Sequence, residues 1–158
     1  MIRELMVNGA KNIPANYTAN VDMVTGMGVQ IDVKNSKVIL PSAATASDVY
    51  MVAHEYVPEG LKASLTDFAD YDEDVNAIKK DQFVKLVPMY EGELYGTDQY
   101  KADDVKSESF GKVLEVNTDG TWQVATTGTS RYELDGIMDD NGHKLAMIRV
   151  LPEAKSAT

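Results

Sequence analysis

The chain has 158 residues, 44% of them hydrophobic and 25% charged, with a formal net charge of −10 and no cysteine. That size and balance suit one globular domain with a real core, or two small lobes that share one. The missing thiols exclude disulfides, Cys-ligated zinc, iron–sulfur clusters and a thiol nucleophile, and the acidity argues against nucleic acid or an anionic membrane as partner.

In chain order, residues 2–8 are mostly apolar and end at Asn8-Gly9, which predicts a first strand. Val21, Met23 and Val24 predict another, ended by Gly26. Met27, Val29, Ile31 and Val33 then alternate with Gly28, Gln30, Asp32 and Lys34, the period that sends successive side chains to opposite faces of a sheet. Asn35-Ser36 turns this strand into Val38-Ile39-Leu40, a hairpin with a short polar turn. A strand over residues 49–56 places Tyr50, Val52 and His54 on one row. Pro58-Glu59-Gly60 breaks the pattern, and residues 61–82 are acidic without β alternation. Leu61, Leu65, Phe68 and Ala69 have helical spacing there, so one short helix is expected, capped by Thr66 or Asp67.

Residues 83–90 predict a strand that Pro88 confines to an edge or a bulge. Glu91-Gly92 allows a bend before an extended run at 94–97. A strand around Val113, Glu115 and Val116 meets Trp122 and Val124 across Asp119-Gly120, a strong hairpin signal because both residues tolerate positive φ. Residues 130–138 form a strand with Tyr132, Leu134, Gly136 and Met138 on one row, and Asn141-Gly142 turns it into 143–151. The polar residues 152–158 are expected to fray as a tail. The expectation is a mainly β fold, a small β-barrel or β-sandwich with an acidic loop or short-helix insertion. It spans one domain, 1–158, divided into an N-terminal β part (1–57), an acidic connector (58–82), a C-terminal β part (83–151) and the tail.

Asp70-x-Asp72-x-Asp74 matches the first three ligands of a calcium loop. The position that wants glycine is Val75, and the one that wants a bidentate glutamate is Asp81. The segment therefore reads as a solvated acidic loop, with Asp70, Asp72 and Asp74 as weak metal candidates. His54 and His143 show no paired-ligand spacing, no Gly-x-Ser-x-Gly elbow occurs, and Gly26-Met27-Gly28 runs into a strand rather than a phosphate-binding helix. The chain is expected to be no enzyme and to need no cofactor; a small hydrolase built on His54 and a carboxylate is the remaining catalytic reading. Tyr90, Tyr95 and Tyr100 recur every five residues and suit either a protein interface or a barrel core. No apolar run approaches the ~20 residues that cross a bilayer. The opening Met1-Ile2-Arg3-Glu4-Leu5 carries an early acid and no signal-peptide core, so synthesis in the cytoplasm without export is expected.

Lys80-Asp81-Gln82-Phe83-Val84-Lys85-Leu86 precedes Met89-Tyr90-Glu91-Gly92-Glu93-Leu94-Tyr95-Gly96-Thr97-Asp98-Gln99-Tyr100, followed by Gly111-Lys112-Val113-Leu114-Glu115-Val116 and Asp119-Gly120-Thr121-Trp122. This succession, within residues 79–151, resembles the small structural proteins of tailed bacteriophages that decorate or cement the head. The resemblance implies a β-barrel or β-tulip-like module on the capsid surface of the virion, made in the host cytoplasm. It implies the major capsid protein as partner, whose neighbouring subunits the module would bridge as a homo-oligomer on the lattice. It also implies an N-terminal segment that adds a strand to the shell protein. Ile2, Leu5 and Val7 would supply that segment unless they form an internal strand, and Tyr90, Tyr95 and Tyr100 are the further capsid-interface candidates. The alternative is a tail or fibre β-module that binds a host surface ligand through Trp122 and the tyrosines.

Overall fold

A computed structural model describes residues 1–7, 16–53 and 77–157. The described strands are β1 (Ile2–Met6), β2 (Thr18–Ala19), β3 (Met23–Val24), β4 (Gly28–Asp32), β5 (Lys37–Ile39), β6 (Tyr50–Ala53), β7 (Ala77–Ile78), β8 (Lys85–Pro88), β9 (Leu94–Thr97), β10 (Leu114–Val116), β11 (Trp122–Val124), β12 (Thr129–Asp140) and β13 (His143–Ser156). Among the described residues the helical content is a single 3-10 turn, Ser107–Ser109. The protein is mainly β and includes a curled half-barrel sheet. His54, the predicted helix at 61–69 and the Asp70, Asp72, Asp74 motif lie outside the described residues.

A four-stranded sheet runs β1-β9-β13-β12 and a five-stranded sheet runs β2-β5-β4-β6-β8. The β10-β11 hairpin and the β3-β7 pair complete the pairing. The N- and C-terminal β parts expected from the sequence are therefore interleaved. β8, from the second part, pairs with β6 of the first, and β1, from the first, pairs with β9 of the second. β7, from the stretch expected as connector, pairs with β3.

Alternation along the central sheet explains its position. Met51 and Ala53 of β6 and Val87 of β8 face a large core that holds Tyr95, Leu114, Val116, Trp122, Tyr132, Leu134, Ala146, Ile148 and Val150. Val52 and Leu86 point the other way, into a smaller core with Ala19, Met23, Val29, Val38, Ile78 and Val84. Tyr50 packs against that smaller core. The five-stranded sheet is thus apolar on both faces, and the four-stranded sheet covers one of them. Trp122 is fully buried and stands edge-on to Tyr132, with ring centroids 5.1 Å apart.

The β10-β11 hairpin joins the two sheets. Thr45 and Val116 exchange both main-chain hydrogen bonds, at 2.9 and 2.7 Å, while Leu134 of β12 donates to the Lys112 carbonyl at 2.9 Å. Gly28 is what lets this hairpin approach β4: a Cβ there would lie 2.3 Å from a Val116 methyl.

The long β12-β13 hairpin turns at Asn141 (φ 54°) and Gly142 (φ 89°), both left-handed, as a two-residue turn of this kind demands. Two irregularities interrupt its ladder, at Ser130/Tyr132 and at Leu134/Gly136. The second changes the predicted row. Past Leu134 the extra residue swaps faces, so Ile137 rather than Met138 packs against the large core. The predicted fraying tail from residue 152 is also corrected. β13 continues through Ser156, which pairs with Thr129, and Lys155 forms an ion pair with Glu133.

Candidate interaction surface

β1 forms one margin of the four-stranded sheet, with β9 on one side and no described strand on the other. Its position is fixed from several directions. Ile2 packs against the large core. Arg3 Nε donates to Asp140 at 2.7 Å. The buried Met1 ammonium donates to the Thr25 carbonyl at 2.5 Å and forms an ion pair with Asp98. Burial pulls the Met1 ammonium pKa down, against the hydrogen bond and charge of Asp98. Leu5 is half-buried. The strand then runs out into exposed apolar side chains, Met6 at 55% and Val7 at 37% exposure. Residues 2–6 are thus a strand of the protein's own sheet, with one margin that no other described strand covers, rather than the free arm that the family resemblance implied.

The evenly spaced tyrosines do not share a surface. Tyr90 is 44% exposed. Tyr95 is fully buried, and its hydroxyl donates to the buried Glu93 carboxylate at 2.6 Å. Burial, and then Glu93, push the Tyr95 phenol far above its usual range. The same carboxylate accepts the Tyr90 main-chain N–H at 2.8 Å, so Glu93 holds the turn that separates the two tyrosines. Tyr100 is half-buried against the large core, its pKa raised by burial and by Asp98. A spacing of five with a glycine turn inside it scatters the rings, which removes Tyr95 from any surface. Trp122, the ligand-contact residue of the alternative reading, is equally closed to solvent.

A feature that the sequence did not signal is a groove of about 540 Å³ where the start of β6 meets the start of β12. Asp48, Tyr50, Tyr90 and Arg131 line it, with Pro88 and Thr129. Four separate stretches of chain build it, residues 46–50, 88–90, 129–132 and, on β13, Val150 with Ala154, and no local periodicity reveals such a convergence. His143 is exposed beside the β12-β13 turn. Among the described residues no group of three or more His, Asp or Glu side chains is placed to hold a metal ion. Comparison of the chain with protein families, with curated proteins and with solved structures finds no match.

Proposed function

We propose that the chain is a decoration protein of a tailed phage head, which binds the outer surface of the capsid and bridges neighbouring subunits of the major capsid protein. The observation that supports this reading is β1, a strand that ends its sheet among the described residues and runs out into exposed Met6 and Val7. Such a margin offers main-chain donors and acceptors to a strand of a partner, and pockets for alternate side chains add selectivity. The binding mode differs from a free arm. The partner's strand adds to this protein's sheet, and no ordering entropy of residues 2–6 opposes it. Many copies on a lattice turn a modest single contact into strong retention. The acidic surface keeps a crowded particle soluble.

Co-sedimentation with expanded heads of the source phage, stripped of accessory proteins, tests the reading. Saturable binding at a fixed ratio to shell subunits is expected. Lysine at both Met6 and Val7 leaves the pairing to β9 intact and guards the open margin, so this double variant should lose retention on the heads. Wild-type protein that stays in the supernatant would rule out the capsid as partner.

A further inference from the structure

We propose that the groove between the starts of β6 and β12 is a binding site for a neutral saccharide. The inference does not depend on the capsid reading. β1 and β12 are the two outer strands of the same sheet, so a ligand in the groove leaves the β1 margin clear.

The groove has the volume of a small-molecule site, about 540 Å³. Its chemistry combines ring faces with hydroxyl-reading groups. Tyr90, 44% exposed, and Tyr50, half-buried, both line the groove. The face of a pyranose that carries axial C–H bonds is apolar and weakly positive, and it stacks on the negative face of such a ring. Asp48 and Arg131 supply the polar part. No described residue hydrogen-bonds the Asp48 carboxylate, which leaves an acceptor for a pair of vicinal hydroxyls. Arg131 Nε donates to the Leu151 carbonyl at 2.9 Å and its terminal nitrogen lies 3.7 Å from the Glu91 carboxylate, so the planar guanidinium is held at the groove from two sides.

Two further observations narrow the occupant. Asp48 has φ 54°, a left-handed conformation that a non-glycine residue adopts at a cost. Strain of this kind concentrates at functional positions, and here it places the carboxylate at the groove wall. Pro88 lies at the groove on β8, a margin strand of the five-stranded sheet, and has no N–H to give. An extended peptide would lack a rung of the ladder it needs. Charge removes one further class: Asp48 and the net charge of −10 repel an anion, whereas a neutral polyhydroxyl ligand can donate to the Asp48 carboxylate and accept from Arg131.

The test is amide chemical-shift titration of the full chain with maltose, lactose, cellobiose and diacetylchitobiose at millimolar concentration. At least one should give saturable shifts centred on residues 47–50, 89–91 and 129–132. Asp48→Asn keeps a side chain that tolerates the left-handed conformation, and Tyr90→Ala removes an exposed ring, so neither should disturb the fold. Each should weaken binding by about tenfold or more, the loss expected of one good contact. Val33→Ala, at an exposed position outside the groove, should change nothing. Absence of saturable shifts with all four sugars overturns the proposal, as do shifts that survive both groove substitutions. Shifts of the same residues on adding an extended peptide, with none on adding sugar, also overturn it.

Discussion

Tyr132 sits where the large core meets the groove, its ring against Trp122 and its hydroxyl donating to the Val49 carbonyl at 3.4 Å. Burial pushes its phenol up to about 12, against the pull of Arg131 and helped by Asp48 and Tyr50. The unfolded chain ionises this group near 10. Its contribution to stability is therefore complete below that pH and is lost as pH rises from the unfolded toward the folded value. Tyr95, raised further, acts in the same direction. Urea unfolding in steps from about pH 9 to about pH 11 should show a midpoint that is flat at first and then falls. Each buried tyrosine can contribute a slope of up to about 1.4 kcal/mol per pH unit. Tyr132→Phe should reduce that slope, and an unchanged slope would mean that the ring is not buried. At the acid end Asp22, held low by the Lys80 N–H and by Lys79, and Asp81, held low by Lys37, work with the opposite sign. Their stabilisation is present above the usual carboxylate value and fades as pH falls below it.

At the scale of elements, the place where β4 meets β10 is the most sensitive to a single methyl group. Gly28→Ala would place a carbon 2.3 Å from a Val116 methyl, so the hairpin has to shift. A destabilisation of about 1–3 kcal/mol is expected, more than the backbone-entropy gain of losing a glycine. A urea midpoint equal to that of the wild type would show that the hairpin does not press on β4. Which elements were legible follows from how local their cause is. The alternation at Val29 and Ile31 and the Asn141-Gly142 turn are written in adjacent residues, and both were read correctly. At Asp119-Gly120 only the glycine takes a positive φ, yet the hairpin forms as read. Pro88 predicts an edge or a bulge, and β8 stands last in its sheet, although Val84 just before it donates to the Tyr17 carbonyl at 3.0 Å. β2, β3 and β7 have two residues each, too few to show any period. The row past Leu134 was misassigned because a bulge leaves no mark in composition, and the pairing of 155–156 because main-chain bonds need no apolar side chain. The groove was invisible because Asp48, Tyr90 and Arg131 are neighbours only after the two sheets close. Of the interface candidates, Ile2, Leu5 and Val7 share a strand, or its end, as expected. Tyr95 is taken inward by a turn whose geometry depends on Glu93.

For the whole molecule, the exchange of strands between the two β parts makes separate lobes physically costly. Removing either part would strip β8 from one sheet or β1 from the other. One cooperative unfolding transition is expected, with far-ultraviolet and aromatic circular dichroism changing together across a urea series. Two resolved transitions would contradict the shared core. The same exchange sets an order of assembly. Beside the three hairpins β4-β5, β10-β11 and β12-β13, several sheet contacts join distant stretches: β1 with β9, β3 with β7, β6 with β8. On the ribosome, β1 and β6 emerge long before their partners, with unsatisfied margins and apolar faces on both sides of the central sheet. Contacts so remote along the chain are slow to form. The nascent first part must therefore be kept from pairing with other chains until residues 85–97 arrive, so at high expression rates yield is limited by this interval rather than by the stability of the finished fold.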